Sequence, residues 1–193
     1  MSHKIYSTLA AVAMVCALGG CEKKAVENPQ IILETSSGKI ILELYPDRAP
    51  ETVKNFIAYI DSEFYNDTVF HRVIPNFMIQ GGGLTAEMKS KATQMPIKNE
   101  ADNGLKNDRG TIAMARTADP DSATAQFFIN IANNEFLNHK SKDSRGWGYA
   151  VFGRVLEGMD VVDAVAGMKT GTRGAYRDVP VQPVVIRKAQ RLK

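Results

Sequence analysis

Short runs of strand-forming residues, each bounded by turn residues, recur from residue 31 to residue 189 and limit the folds open to this chain. The first two runs, 31–33 and 40–44, flank the turn Ser36-Ser37-Gly38, and their apolar alternation predicts a β-hairpin. Clusters of Gly, Asn, Asp and Pro separate the remaining runs, which span 69–74, 77–80, 111–115, 127–131, 150–155 and 184–189. This pattern is typical of a mainly β protein.

Two segments have the spacing of a helix. Val53, Phe56 and Ile60 recur at helical intervals after Pro50, which suits a first helical turn, and a second helix is predicted over 159–166. Many short strands with two helices predict a closed β-barrel with plugged ends, which leaves no exposed sheet edge. The triplet at 81–83, Gly-Gly-Gly, is interpreted as a tight turn, and the glycine-rich stretch 167–174 as a flexible loop.

Length and charge restrict the number of domains and the classes of partner. The chain has 193 residues, 44% of them hydrophobic, and can bury one substantial core, so we expect one domain over 30–193. The 24 Lys and Arg against 21 Asp and Glu give a net charge of +3, spread along the chain. Because no long basic block occurs, we expect no nucleic-acid partner. We also expect a monomer.

The first twenty residues differ from the rest of the chain. Lys4 precedes an apolar run of ten residues, 9–18, which Gly19 and Gly20 follow. A run of this length fits the core of a signal peptide and is about half of what crosses a bilayer. We therefore predict a signal peptide over 1–20 rather than a transmembrane helix.

The end of this segment, Leu18-Gly19-Gly20-Cys21, resembles the lipobox of bacterial lipoproteins, in which the cysteine is lipidated. The alternative is ordinary secretory cleavage beside an incidental cysteine. Lipidation of Cys21 would attach the chain to a membrane of the cell envelope, facing the periplasm, with 21–29 as a polar tether. By the sorting rule of Gram-negative lipoproteins, Glu22 favours the outer membrane. Removal of Cys16 with the signal would leave no disulfide.

Familiar catalytic signatures are missing from the sequence. It contains no Gly-x-Ser-x-Gly elbow, His-Glu-x-x-His helix or phosphate-binding loop. After signal removal, His71 and His139 would remain, and neither lies in a cluster of metal-type ligands. We therefore expect no metal and no cofactor.

Three blocks of sequence resemble the cyclophilins: FHRVIPNFMIQGG at 70–82, QFFI at 126–129 and VFGRV at 151–155. The resemblance is closest to bacterial periplasmic cyclophilins, which share MARTA at 114–118 and DSAT at 121–124. It implies an eight-stranded antiparallel barrel capped by two helices, with an active site on its outer face. It also implies peptidyl-prolyl cis-trans isomerase activity on proline-containing unfolded or flexible polypeptides, here exported ones whose folding the enzyme would assist.

The resemblance also implies roles for individual residues. Arg72 would donate a hydrogen bond to the prolyl nitrogen, while Gln80 and Gln126 would orient the guanidinium and the substrate backbone. The backbone at Ala115 and Arg116 would pair with the substrate main chain. The apolar pocket for the proline ring would comprise Phe77, Met78, Phe128 and Leu137.

This chain departs from the cyclophilin pattern at three of these positions. Arg116 replaces the asparagine of eukaryotic members. Phe136 stands where many members carry tryptophan, and Tyr149 where many carry histidine. Since both residues are aromatic, we expect the pocket wall to persist.

Two functions of other classes remain open on the sequence. One is a pure binding module that captures proline-containing segments without turning them over. The other is a general holdase-type chaperone of the cell envelope.

Overall fold

The computed structural model describes residues 28–192. The predicted signal peptide, Cys21 and most of the tether lie outside the described residues. No helix within 28–192 is long and apolar enough to cross a membrane. The α-helices are α1 (Pro50–Asp61) and α2 (Met159–Ala166). The strands are β1 (Gln30–Thr35), β2 (Gly38–Leu44), β3 (Thr68–Ile74), β4 (Met78–Thr85), β5 (Thr111–Met114), β6 (Phe127–Asn130), β7 (Val151–Glu157), β8 (Thr170–Arg173), β9 (Tyr176–Pro180) and β10 (Val185–Arg191).

Eight of these strands close into a barrel in the order β1-β10-β3-β4-β6-β5-β7-β2, and neighbouring strands are antiparallel. The first and last strands pair with each other, beginning with Ile31 opposite Arg191. The β1–β2 hairpin turns at the predicted position, between Thr35 and Gly38. The predicted closed eight-stranded antiparallel barrel with two helices is therefore confirmed.

Aromatic rings from α1, from two strands and from the turn between α1 and β3 pack together in the barrel interior. The Phe56 ring of α1 lies 5.1 Å from the rings of Tyr65 and Phe152 and 5.5 Å from that of Phe127, measured between centroids. All four side chains are buried. Burying each of them contributes about 1.5–3 kcal/mol, so this cluster anchors α1 to the barrel.

The start of α1 is capped by a residue that is distant in sequence. Ala49, the N-cap residue, offers no side-chain hydrogen bond, and Pro50 follows it. The Glu100 carboxylate accepts hydrogen bonds from the backbone N–H of Glu51 at 3.1 Å and of Thr52 at 2.8 Å. A negative charge at this end also interacts favourably with the helix dipole. The segment between β4 and β5 therefore fixes where α1 begins.

The glycine triplet 81–83 lies inside β4, so its interpretation as a tight turn is wrong. Gly82 has a φ of +81°, and the β3–β4 register shifts between Thr68 and Phe70, where β4 carries the extra residues between Gly81 and Thr85, which marks a β-bulge. A Cβ atom at Gly82 would lie 2.7 Å from the Phe127 ring. Glycine therefore serves a bulge and a close approach within a strand, not a turn between strands.

The segment predicted as a flexible loop, 167–174, contains a strand, so that prediction is also wrong. β8 pairs with β9 in a separate two-stranded hairpin, with Gly174 (φ +61°) at its turn. β9 packs beside β3 of the barrel. This contact holds the hairpin against the strand that carries Arg72.

Candidate active site

An arginine and two glutamines form a hydrogen-bonded row across neighbouring strands. Arg72 on β3 stands opposite Gln80 on β4, and its Nη1 donates to Gln80 Oε1 at 3.4 Å. Gln80 Nε2 in turn donates to Oε1 of Gln126, which precedes β6, at 2.9 Å. Since the amide nitrogen is engaged by Gln126, the amide oxygen faces the guanidinium. The row thus holds the Arg72 guanidinium against an oriented acceptor, the amide oxygen of Gln80.

Beside this row lies an apolar pocket of about 180 Å³ on the outer face of the barrel. Met78, Phe128 and Leu137 pack in a hydrophobic cluster distinct from the interior core, because side chains alternate between the two faces of a strand. The pocket is lined by Arg72, Phe77, Met78, Gln80, Ala115, Arg116, Phe128, Leu137 and Tyr149. The structure thus brings together nine of the eleven residues predicted for the site.

Phe136 and Gln126 are the two predicted residues outside this lining. The Phe136 side chain is 65% exposed, and its ring centroid lies 5.5 Å from that of Phe77. Phe136 therefore extends the apolar surface from Phe77 towards solvent instead of forming a pocket wall. Gln126 lines an adjoining pocket of about 160 Å³, which shares Gln80, Ala115 and Arg116 with the first.

Arg116 and Tyr149 support each other at the rim of the apolar pocket. The Arg116 guanidinium lies 4.6 Å from the Tyr149 ring centroid and donates from Nε to the Gly148 carbonyl at 2.9 Å. The Tyr149 ring meets Phe128 edge-on at 5.7 Å. The Arg116 side chain is thereby fixed against the protein, which leaves its backbone at the groove.

Sequence reasoning assigned no role to three other residues of the adjoining pocket, Thr117, Ser122 and Thr124. These residues line the adjoining pocket together with Gln126, and Ser122 Oγ accepts from the Thr117 N–H at 2.9 Å. The available signal was their position in the MARTA and DSAT blocks, which flank Gln126 in the sequence.

His71, next to Arg72, is buried, and burial lowers its pKa to about 4, with the Arg72 charge adding to the effect. Its Nδ1 has no hydrogen-bond partner in the part of the chain that the structure describes. The imidazole is therefore neutral at pH 7 and adds no charge beside Arg72. Within 28–192, no group of three or more His, Cys, Asp or Glu could hold a metal ion.

The nine residues that line the apolar pocket include no Ser, Cys or His that could act as a nucleophile. They offer a fixed cation, an oriented amide and an apolar cavity. Such a site can bind a small apolar ring and stabilise a developing lone pair by hydrogen bonding. Chemistry of this kind suits a bond rotation rather than a group transfer.

The structure is a closed antiparallel barrel, and the candidate active site lies in a groove on its outer face. A solved structure with this fold is a cyclophilin-type peptidyl-prolyl cis-trans isomerase of Cryptosporidium parvum. It superposes with a TM-score of 0.71 at 24% sequence identity, covering 86% of this chain and 98% of that one.

Sequence comparisons identify the family. The family model "Cyclophilin type peptidyl-prolyl cis-trans isomerase/CLD" matches residues 30–191. A peptidyl-prolyl cis-trans isomerase of Streptomyces antibioticus is 64% identical over 82% of this chain and 95% of its own. Peptidyl-prolyl cis-trans isomerase A of Dickeya dadantii is 52% identical over 100% of both chains. This chain therefore belongs to the cyclophilin-type peptidyl-prolyl cis-trans isomerases, enzymes that interconvert the cis and trans forms of X-Pro peptide bonds.

Proposed function

We propose that this isomerase acts on X-Pro bonds of exported polypeptides and assists their folding, with Arg72 as the catalytic residue. The observation that carries the assignment of Arg72 is the hydrogen-bonded row of Arg72, Gln80 and Gln126 beside the apolar pocket. The row supplies a positioned cation, and the pocket supplies a place for the proline ring.

The reaction is limited by rotation about a bond with partial double-bond character. Its barrier is about 18–20 kcal/mol, and uncatalysed X-Pro isomerisation takes about tens to hundreds of seconds. As the bond twists, the prolyl nitrogen loses resonance and its lone pair becomes a better acceptor. A hydrogen bond from Arg72 to this nitrogen is stronger in the twisted state than in the planar one, so it lowers the barrier.

Gln80 acts as a positioning residue in this mechanism. Its Oε1 accepts from Arg72 and its Nε2 is held by Gln126, so the guanidinium is oriented before the substrate arrives. Preorganisation of this kind avoids reorienting the donor during the reaction.

Substrate binding combines apolar contacts with backbone pairing. The proline ring would rest on Phe77, Met78, Phe128 and Leu137, with Tyr149 at the rim. The Ala115 N–H already donates to the Gln126 carbonyl at 2.9 Å. Pairing with the substrate main chain would therefore use the Ala115 carbonyl and the Arg116 backbone, which leaves side-chain choice broad. Phe136 would contact a substrate residue outside the proline pocket.

Cellular location rests on the lipobox-like sequence Leu18-Gly19-Gly20-Cys21. Lipidation of Cys21 would anchor the enzyme in the cell envelope, facing the periplasm, and Glu22 favours the outer membrane. Stable anchoring takes two acyl chains, which lipoprotein processing supplies. Mass spectrometry of the mature protein tests this part: an unmodified Cys21, or cleavage at another bond, would contradict it.

Arg72→Ala tests the catalytic assignment. If the guanidinium contributes about 3–4 kcal/mol, as single preorganised donors do, turnover should fall by about two to three decades. The fold should survive, because Arg72 is only half-buried and is not part of the core. The measurement is a protease-coupled or NMR exchange assay on a short X-Pro peptide. Near-normal turnover of the folded variant would remove Arg72 from the mechanism.

A further inference from the structure

A second, larger cleft shares Arg72, Gln80 and Gln126 with the proposed active site. It has a volume of about 490 Å³, against about 180 Å³ for the apolar pocket. Its other lining residues are His71, Leu84, Ser90, Ala175, Tyr176, Arg177 and Asp178. The last four belong to the β8–β9 hairpin, so we call this space the hairpin cleft. Residues of the hydrogen-bonded row therefore border both the apolar pocket and the hairpin cleft, and the hairpin forms a further wall of the cleft.

The hairpin has an irregular backbone at this wall. Asp178, in β9, has a φ of +60°, and the β8–β9 register shifts between Gly171 and Arg173. An extra residue in one strand and a left-handed conformation are the features of a β-bulge. Aspartate is one of the few non-glycine residues that adopt this conformation readily, because its short polar side chain can hydrogen-bond locally. Bulges redirect side chains, and this one places Arg177 and Asp178 on the cleft.

Positive charge prevails over negative charge along the hairpin cleft. Arg72 and Arg177 are cationic, Asp178 is anionic, and His71 is neutral at pH 7. The four ion pairs formed within residues 28–192 involve other side chains. Both arginines therefore face the cleft without a carboxylate from the described chain within 4.0 Å.

We infer that the hairpin cleft is a further substrate subsite, which takes an acidic side chain near the proline of the same polypeptide. The inference rests on the proposed function, because it requires the proline to bind beside Arg72. One extended chain can reach both spaces, since they share Arg72 and Gln80. A guanidinium matches a carboxylate through two parallel hydrogen bonds, so Arg177 is the residue that would select the acid.

The test compares matched peptides within each enzyme variant. Each peptide carries Glu or Gln at one of the three positions before or after the proline, and kcat/KM is measured by NMR exchange. Because Arg177 is exposed to solvent, its ion pair with a substrate carboxylate should be modest in strength. The native enzyme should therefore favour Glu over Gln by about two- to fivefold at one or two positions. Arg177→Gln should bring this ratio close to one, and Arg177→Glu should invert it. Comparing ratios removes any change in overall turnover.

Lys54→Glu is the matched control, because it makes the same charge change at an exposed position on α1. It should leave the Glu-to-Gln ratio at the native value. A ratio near one at all six positions in the native enzyme would overturn the inference. Equal losses in Arg177→Glu and Lys54→Glu would overturn it too, since the effect would then be general electrostatics. If the Gln peptides themselves are not turned over, it is the proposed function that fails.

Discussion

Replacing Gln80 by Met removes the acceptor that orients the Arg72 guanidinium while keeping a side chain of similar length. Replacing Gln126 by Met leaves that acceptor in place but removes the partner that fixes which end of the Gln80 amide faces Arg72. Both changes should lower kcat, since each disturbs the same donor. We expect KM to change little for Gln80→Met, because the apolar contacts to the proline remain.

The hydrogen-bond distances indicate how far kcat should fall. The Arg72–Gln80 contact is long, at 3.4 Å, and the Gln80–Gln126 contact is 2.9 Å. A hydrogen bond of this class contributes about 1 kcal/mol net. Each single variant should therefore lose about fivefold in kcat. If Gln126 positions Arg72 only through Gln80, the double variant should also lose about fivefold rather than twenty-five-fold, because the second change breaks nothing further.

The assay is a double-mutant cycle in kcat, measured by exchange spectroscopy on a short X-Pro peptide at saturating substrate. Gln94→Met, at an exposed position, is a matched control and should leave kcat unchanged. Strictly multiplicative losses would show that the two glutamines act independently. Unchanged kcat in folded Gln80→Met would show that Arg72 needs no positioning, and the row would lose its role.

Three further predictions concern stability and ligand choice. Glu100→Gln should lower the free energy of unfolding, measured in urea, by about 1 kcal/mol, because the charge at the start of α1 is lost. The control Glu135→Gln, at an exposed position in a short turn, should leave this free energy unchanged. Equal effects of the two changes would contradict the capping role of Glu100. Phe136→Trp should tighten cyclosporin binding by about tenfold in calorimetry, because an indole N–H at this exposed rim can pair with a drug carbonyl; no gain would refute it. Burial lowers the pKa of His71 from 6.5 to about 4, so the stability present above pH 6.5 should be lost as the pH falls towards 4. That loss amounts to about 3 kcal/mol and should be absent in His71→Gln, and an unchanged acid titration in that variant would exclude His71 as the cause.

Local patterns in the sequence predicted much of the barrel. The β1–β2 hairpin and the start of α1 at Pro50 follow from turn residues and periodicity within a few positions. The glycine-rich segments were misread because glycine serves turns and close strand contacts alike. Within β4, glycine is needed at 82 because a side chain there would clash with the Phe127 ring, and Phe127 is remote in the sequence.

Contacts between residues that are remote in the sequence also limited what could be predicted about the site. Resemblance supplied the residues of the apolar pocket, but it did not reveal that Phe136 projects to solvent beside Phe77. Nor did it reveal the Glu100 cap, which joins positions 48 residues apart. The hairpin cleft was missed for the related reason that β9 reaches Arg72 only through its packing on β3.

Pairing of the first and last strands brings the two ends of the described chain together. The Leu192 N–H donates to the Gln30 carbonyl at 2.8 Å. A short linker could therefore join the ends, with new termini opened in the exposed segment 141–145. Such a circular permutant would keep every strand partner while turning the most distant pairing of the barrel into a local one. Its contact order would fall, and the barrel should fold faster.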